Sequence, residues 1–379
     1  MSEIKIQTKP KEGDLGKHPG QLFKELWNKK DIKKELERAK KSNEMPFFNL
    51  DKIELHPAKD CNLRCSFCYG KDVVPDRKYR RALTLNDIEK VLTDVRENMP
   101  NEEPLIIYAG LYSEPLLNQG MGRIVEITGE KGFRQGIYTN GLLMKESFIE
   151  KMVESAIRNK NVKPSYIVFN VTASIVSKNS GRDLATLLKN IQEISRVKKE
   201  KKSPLLINCS LHAVADKGED YRKIALELRD IGVDNIRLSF PWEAQKNELN
   251  QMGVNLTREQ YIKYASQFEQ LGEEFPELVS VRYPPKKSFD KCFVSTQGIS
   301  ISSEGDVFPC PEVSSLLFKK THSYGSVHEK KISEIWHGKE HRKLFSKLNP
   351  CNVEKSCVCC HTDEDLNKYF SQLWSEGDY

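Results

Sequence analysis

Short apolar runs alternate with longer amphipathic stretches over most of the chain. Six runs predict strands, and each is followed by a segment whose apolar residues recur at helical spacing. Thr84, with Asp87 three residues on, predicts the N-cap of the first of these helices. The predicted strands are 52–56, 105–109, 136–140, 166–171, 205–214 and 235–240, and the helices lie near 84–98, 121–129, 146–158, 183–198, 219–231 and 257–271. Such alternation predicts a parallel sheet covered by helices.

The later strands each have one apolar face and one face that turns polar toward the C-terminal end. In 205–214, Cys209 and its apolar neighbours point toward the helices, whereas the opposite face is polar. A closed barrel fills its interior with branched apolar side chains, so a polar interior predicts an open barrel that holds a polar ligand. The predicted fold is α/β, a partial (β/α)6 TIM barrel. Its polar face carries Asn170, Thr172, Asn208, Ser210, His212, Arg237 and Ser239.

Composition narrows the class of protein. The chain has 379 residues, a formal net charge of +6 and scattered lysines, and we expect no nucleic-acid partner. The first residues lack a signal peptide and no apolar run reaches about 18 residues, which predicts a cytoplasmic protein without a membrane partner. Its ten cysteines fall into groups at 61–68 and 292–360 with one between them. In a cytosolic chain, such grouping indicates metal rather than disulfides.

The sequence CNLRCSFC places Cys61, Cys65 and Cys68 directly after the first strand. Sites in parallel sheets lie at this C-terminal end of the strands. A structural zinc ion normally has four protein ligands, and a disulfide does not persist in a reducing compartment. A [4Fe–4S] cluster held by three thiolates keeps one iron open for an outside ligand. The cluster is therefore the favoured interpretation.

This loop resembles the signature of the radical S-adenosylmethionine (SAM) enzymes, with Phe67 as the aromatic residue before the third cysteine. The resemblance implies that SAM chelates the open iron and is cleaved reductively to a 5′-deoxyadenosyl radical. The segment AGLYSEPLLN resembles the Gly-Gly-Glu-Pro segment that binds the SAM amino group, although Ser113 replaces its second glycine. YTNG at 138–141 also recurs in the family. The SAM-binding residues so implied are Phe67, Gly110, Glu114 with Pro115, Asn170 and Thr172, the last two with strand termination as the alternative.

The C-terminal cysteines resemble those of SPASM and the shorter twitch domains, which carry auxiliary iron–sulfur clusters. The sequence ISISSEGDVFPC predicts a β-hairpin that turns at Glu304–Asp306. The resemblance implies a second [4Fe–4S] cluster, with zinc as the alternative. It assigns no ligand role to Cys351 and Cys359. The ligands of this cluster would be Cys292, Cys310, Cys357 and Cys360. We therefore expect an N-terminal helical extension (1–50), the partial barrel (51–285) and a small auxiliary-cluster domain of a hairpin plus helix (286–379).

The twitch-type cysteine spacing resembles that of the dehydrogenases of aminocyclitol antibiotic biosynthesis, exemplified by 2-deoxy-scyllo-inosamine dehydrogenase. The resemblance implies an oxidoreductase for a small polar molecule, such as an amino sugar, cyclitol or nucleoside, with flavodoxin or ferredoxin as electron donor. We expect His212 to act as the base, with a hydrogen-bonded structural histidine as the alternative. Arg237 would pair with a carboxylate or phosphate of the substrate, with a structural ion pair as the alternative. One alternative is a peptide maturase or epimerase, although Cys209 is predicted to face away from the barrel interior. The other is a non-catalytic zinc scaffold.

Overall fold

Strands and helices alternate along the chain in the order that its hydrophobic pattern predicts. The computed structural model describes residues 29–65, 67–68, 81–110, 113–159, 164–175, 177, 179–214, 220–240, 256–283, 291–314, 318–347 and 364–376. The strands are β1 (Lys52–Leu55), β2 (Leu105–Tyr108), β3 (Gln135–Thr139), β4 (Tyr166–Asn170), β5 (Leu206–His212), β6 (Asn235–Ser239), β7 (Val279–Arg282), β8 (Gly298–Ile301), β9 (Asp306–Phe308) and β10 (Gly325–Ser326). The helices are α1 (Lys29–Ser42), α2 (Leu85–Asn98), α3 (Met121–Glu130), α4 (Glu146–Arg158), α5 (Val171–Ile175), α6 (Ser180–Glu200), α7 (Tyr221–Ile231), α8 (Arg258–Glu274), α9 (Lys319–His322), α10 (Ile332–Ile335), α11 (Lys339–Lys347) and α12 (Glu364–Glu376).

The described strands form one sheet in the order β10-β9-β8-β1-β2-β3-β4-β5-β6-β7. Pairing is parallel from β8 through β7, and β9 pairs antiparallel with both β8 and β10. The six predicted β–α units are confirmed, and β7 follows them as a seventh parallel strand. The hairpin does not stand apart from the barrel, because β8 pairs with β1 along its whole length.

Local sequence accounts for the ends of several elements. The Thr84 hydroxyl accepts from the Asp87 backbone N–H at 3.2 Å, and the Asp87 carboxylate accepts from the Thr84 N–H at 2.9 Å. This is the capping box that the sequence predicts at the start of α2. The hairpin turn begins two residues earlier than predicted. It spans 302–305, because Gly305 adopts a φ of +86° just before β9, and Asp306 already pairs in that strand.

The alternation predicted for β5 is confirmed. Ile207, Cys209 and Leu211 are fully buried in the core between the sheet and its helices, whereas His212 is partly exposed on the opposite face. The predicted end of the neighbouring strand, at residue 171, was wrong. The strand β4 ends at Asn170, and Thr172 lies in the short helix α5 rather than on the strand. Both Thr172 and Val171 are consequently buried.

A second, smaller core joins distant parts of the chain. It combines Ile32 and Leu36 of α1 with Phe370 and Leu373 of α12, and with Phe293 ahead of β8. The expected N-terminal helix therefore packs against the C-terminal helix. No helix in the described part of the chain is long and apolar enough to cross a membrane.

Candidate active site

The three cysteines of the loop after β1 are held by contacts within the loop and by one contact with α5. The Asp60 carboxylate accepts from the Cys61 backbone N–H at 2.7 Å, and Arg64 donates to the Cys61 carbonyl at 2.6 Å. The Cys68 N–H donates to the Cys65 carbonyl at 3.1 Å, and the Cys65 thiol lies 4.0 Å from the Ala173 carbonyl of α5. These bonds hold the loop in place at the C-terminal end of β1.

Burial raises the pKa of two thiols of this loop. Burial, and then the charge of Glu114 and Cys68, raises the pKa of Cys61 to about 11. Burial, and then the charges of Cys68 and Cys61, raises the pKa of Cys65 to about 12. Iron supplies the positive charge that three neighbouring thiolates require. Within the described ranges, no three Cys, His, Asp or Glu side chains form a single-ion site. A [4Fe–4S] cluster fits better, because each thiolate then binds a different iron.

Glu114 is buried and connects the cysteine loop to the loops after β2 and β3. Its backbone N–H donates to the Asp60 carbonyl at 2.8 Å. Its carboxylate accepts from the Thr139 hydroxyl at 2.6 Å, from the Asn140 N–H at 2.8 Å and from the Leu116 N–H at 3.0 Å. Burial raises the pKa of Glu114 even though these bonds oppose the shift. Both carboxylate oxygens thus organise the backbone that surrounds the cysteines.

Asn140 is a site residue that the sequence did not identify, although the segment YTNG pointed to its neighbourhood. Its amide nitrogen lies 2.8 Å from the Asn62 side-chain oxygen and 4.0 Å from the Cys61 sulfur. Gly141 follows with a φ of +73°, the left-handed conformation that glycine adopts without strain. The turn after β3 therefore contacts the cysteine loop directly.

Gly110, which the sequence assigns to the SAM-binding segment, has no room for a side chain. A Cβ atom there would lie 1.6 Å from the Ser113 carbonyl oxygen. Ser113 itself is buried. The backbone of this segment therefore folds closely over Gly110 just before Glu114.

We expect Gly110→Ala to weaken SAM binding by about tenfold or more, because the Ser113 carbonyl must move to admit the methyl group. The measurement is anaerobic calorimetric titration of the reconstituted protein with SAM. Gly181→Ala is the matched control, since a Cβ there meets nothing within 4 Å. Equal dissociation constants for the two variants would contradict the role given to this segment.

His212 and Arg237 come together on the inner face, as their strand positions predict. Arg237 Nη2 donates to the Ser210 hydroxyl at 3.0 Å, and that hydroxyl lies 3.5 Å from His212 Nε2. The Ser239 hydroxyl lies 2.7 Å from His212 Nδ1. The Phe67 ring packs on the His212 ring with centroids 5.6 Å apart. The aromatic residue of the cysteine loop therefore contacts the polar end of β5.

The two residues expected near the SAM ribose make contacts within the protein. The Asn170 side-chain oxygen accepts from the Ala173 N–H at 3.2 Å, which caps the turn into α5. The Thr172 hydroxyl accepts from the His212 backbone N–H at 2.7 Å and is fully buried. Asn170 remains partly exposed on the inner face. Thr172 instead stabilises the end of β5 through its hydrogen bond with the His212 backbone.

A buried pair of Glu54 and His56, at the end of β1, is not among the site residues that the sequence predicts. His56 Nε2 lies 3.0 Å from the Glu54 carboxylate and 3.5 Å from the Ser300 hydroxyl of β8. Glu54 and Ser300 are register partners, so these side chains share the inner face. The signal was present in KIELH, whose alternation separates Glu54 and His56 from the apolar Ile53 and Leu55.

Two of the predicted auxiliary ligands, Cys292 and Cys310, lie near one buried phenol. Burial, and then the charges of Cys292 and Cys310, raises the pKa of Tyr324 well above its usual value. The Tyr324 side chain is buried beside these two cysteines. A buried phenol next to sulfur ligands fits an anionic cluster there. The other predicted ligands, Cys357 and Cys360, and the leftover Cys351 and Cys359, lie outside the described residues.

Strand register places the two cysteine groups at opposite ends of the β1–β8 pair. Cys61 follows the C-terminal end of β1, whereas Cys292 precedes the N-terminal end of β8. Cys310 follows β9, which runs antiparallel to β8 and so returns to the same end as Cys292. The four paired residues of β1 and β8 span roughly 13 Å at 3.3 Å per residue. The polar end of β5 lies next to the cysteine loop, since Phe67 of that loop contacts His212.

Two family models match separate parts of the chain. Residues 55–173 match the radical SAM superfamily, and residues 292–361 match the SPASM iron–sulfur cluster-binding domain. The first range holds the cysteine loop and Glu114, and the second begins at Cys292. The cofactors are therefore a [4Fe–4S] cluster that binds SAM, SAM itself and an auxiliary iron–sulfur cluster.

One curated protein and several solved structures are similar to most of the chain at low identity. A tungsten-containing aldehyde ferredoxin oxidoreductase cofactor-modifying protein of Pyrococcus furiosus is 22% identical over 327 residues, which cover 78% of this chain and 86% of that protein. The structure of Streptococcus suis SuiB bound to precursor peptide SuiA aligns with a TM-score of 0.58 at 15% identity, covering 90% of this chain and 74% of SuiB. The structure of anSMEcpe with bound AdoMet and Cp18Cys peptide aligns with a TM-score of 0.55 at 16% identity, covering 86% of this chain and 95% of that protein. The chain thus contains a part that matches the radical SAM superfamily, followed by a part that matches the SPASM domain.

Proposed function

We propose that the chain removes hydrogen from a residue of a peptide that binds on the inner face of the partial barrel. The observation that carries this proposal is the contact of Phe67 with His212, which brings the polar end of β5 next to the cysteine loop. Two structures of similar fold, those of SuiB and anSMEcpe, contain bound peptides, which favours a peptide over a small molecule. The sequence alone favours a small polar substrate, with a peptide substrate as the alternative.

The residues of the chain would position the reacting groups. When bound, the two clusters and SAM supply reductive SAM cleavage, a hydrogen-abstracting radical and an acceptor for a second electron. Glu114 and Asn140 hold the cysteine loop, and Phe67 places His212 beside it. His212 would take the released proton at Nε2, where its contact with Ser210 is longer than its Nδ1 contact with Ser239. A ferredoxin or flavodoxin would donate the first electron.

The second candidate is oxidation of a small polar molecule, as in the dehydrogenases that the cysteine spacing resembles. Arg237 favours it, because in the described part of the chain its guanidinium contacts only the Ser210 hydroxyl. A guanidinium in that position suits a carboxylate or phosphate on the substrate. The same group would also bind an acidic peptide side chain.

A substrate panel separates the two candidates. We expect a peptide, rather than an amino sugar, cyclitol or nucleoside, to raise 5′-deoxyadenosine formation by about tenfold or more over the uncoupled rate. In D2O, the product should be two mass units lighter and carry no deuterium on carbon. His212→Gln should keep SAM cleavage but yield less oxidised product for each 5′-deoxyadenosine. Stimulation by small molecules alone would select the second candidate, and a deuterated product of unchanged formula would mean epimerisation.

A further inference from the structure

Helix α12 carries a fully buried asparagine beside Cys292. The Asn367 side-chain oxygen accepts from the Phe293 backbone N–H at 2.6 Å. This bond fixes the orientation of the amide, because only its oxygen can accept a hydrogen bond. The amide nitrogen then faces the Cys292 sulfur at a distance of 3.9 Å. Asn367 lies beyond residues 292–361, the part of the chain that matches the SPASM model.

We propose that Asn367 is a positioning residue whose N–H···S hydrogen bond to Cys292 raises the reduction potential of the auxiliary cluster. Reduction adds negative charge to the cluster and to its sulfur ligands. An N–H donor stabilises that charge more in the reduced state than in the oxidised state. Burial of Asn367 strengthens the effect, because water does not compete for its amide group.

The amide is held in place by packing from the other end of the chain. Phe370 and Leu373, on the same helix, pack with Ile32 and Leu36 of α1. Lys40 of α1 also donates to the Trp374 carbonyl at 3.3 Å. A donor fixed in this way loses little freedom when it binds sulfur, so its effect on the cluster is retained. Helix α1 thereby acts on the auxiliary site through α12.

The experiment measures the auxiliary cluster alone. The full chain is prepared with Cys61, Cys65 and Cys68 replaced by alanine, reconstituted with iron and sulfide, and titrated electrochemically with EPR detection. We expect Asn367→Leu to lower the reduced-to-oxidised ratio at a fixed potential by about tenfold, equivalent to about 59 mV for one electron. Asn367→Asp, which keeps the acceptor for Phe293 but adds a negative charge, should lower it further. Ser375→Ala, on the same helix but exposed, should leave it unchanged.

Three outcomes would overturn the proposal. The first is an unchanged ratio in Asn367→Leu, even if Asn367→Asp is lower, because charge alone would then explain the result. The second is an auxiliary site that retains zinc in place of iron. The third applies if both variants lose their iron. The protein that retains Asn367 is then labelled with ¹⁵N-asparagine, reduced and examined by pulsed EPR. Absence of a ¹⁵N coupling to the auxiliary cluster would exclude the bond.

Discussion

Replacing Cys61, Cys65 and Cys68 together by alanine is expected to abolish reductive cleavage of SAM. We propose these three thiolates as the protein ligands of the cluster, and without them no iron would be available to bind SAM. The measurement is 5′-deoxyadenosine formation under anaerobic conditions with dithionite as reductant. We expect the product to fall to the level of a sample without protein.

Cys209→Ala is the matched control for this experiment. Cys209 is also buried, but it lies on the helix-facing side of β5, and burial alone raises its pKa. Its removal should leave SAM cleavage intact, with a modest loss of stability from the small cavity. SAM cleavage by the triple variant would refute the assignment of the loop.

Replacing Cys292 and Cys310 by alanine should separate SAM cleavage from substrate oxidation. The reconstituted chain should carry about eight irons from two [4Fe–4S] clusters, and this double variant about four. We expect 5′-deoxyadenosine to form still, because the cysteine loop lies at the opposite end of β1. Oxidised product should be absent, since the second electron has no acceptor.

Iron analysis and product analysis of the same samples check this expectation. Oxidised product from a variant with about four irons would show that the auxiliary site is not the acceptor. Zinc at that site in the unaltered chain would mean the same. The matched control is Ser375→Ala, an exposed position that should preserve both the iron content and the product.

Local patterns predicted the barrel well, because its strands and helices are specified by nearby residues. The Thr84 capping box and the alternation around Cys209 both recur in the structure. The strand β7 was missed, since its four residues alternate Val with Ser and Arg and have no apolar run. The β8–β1 pairing was missed for a different reason: no local pattern specifies which distant strand will be the partner.

The site was predictable where a residue's chemistry is written in a short motif. The cysteine loop follows β1 as expected, and His212 and Arg237 come together on the inner face. Contacts between loops were not predictable in this way. Glu114 binds the turn after β3, and Asn367 reaches Cys292 from a helix 75 positions further along the chain. Such contacts depend on tertiary packing, which spacing does not encode.

The pairing of β8 with β1 has a consequence for synthesis of the chain. Lys52 and Gly298 are register partners about 250 residues apart, so one edge of β1 has no partner until the C-terminal part has been made. At 5–20 residues per second, that interval is roughly 12 to 50 s. An unpaired strand edge is prone to pair with other chains during such an interval. We therefore expect chaperones to shield the edge of β1 in the nascent protein until β8 has been made.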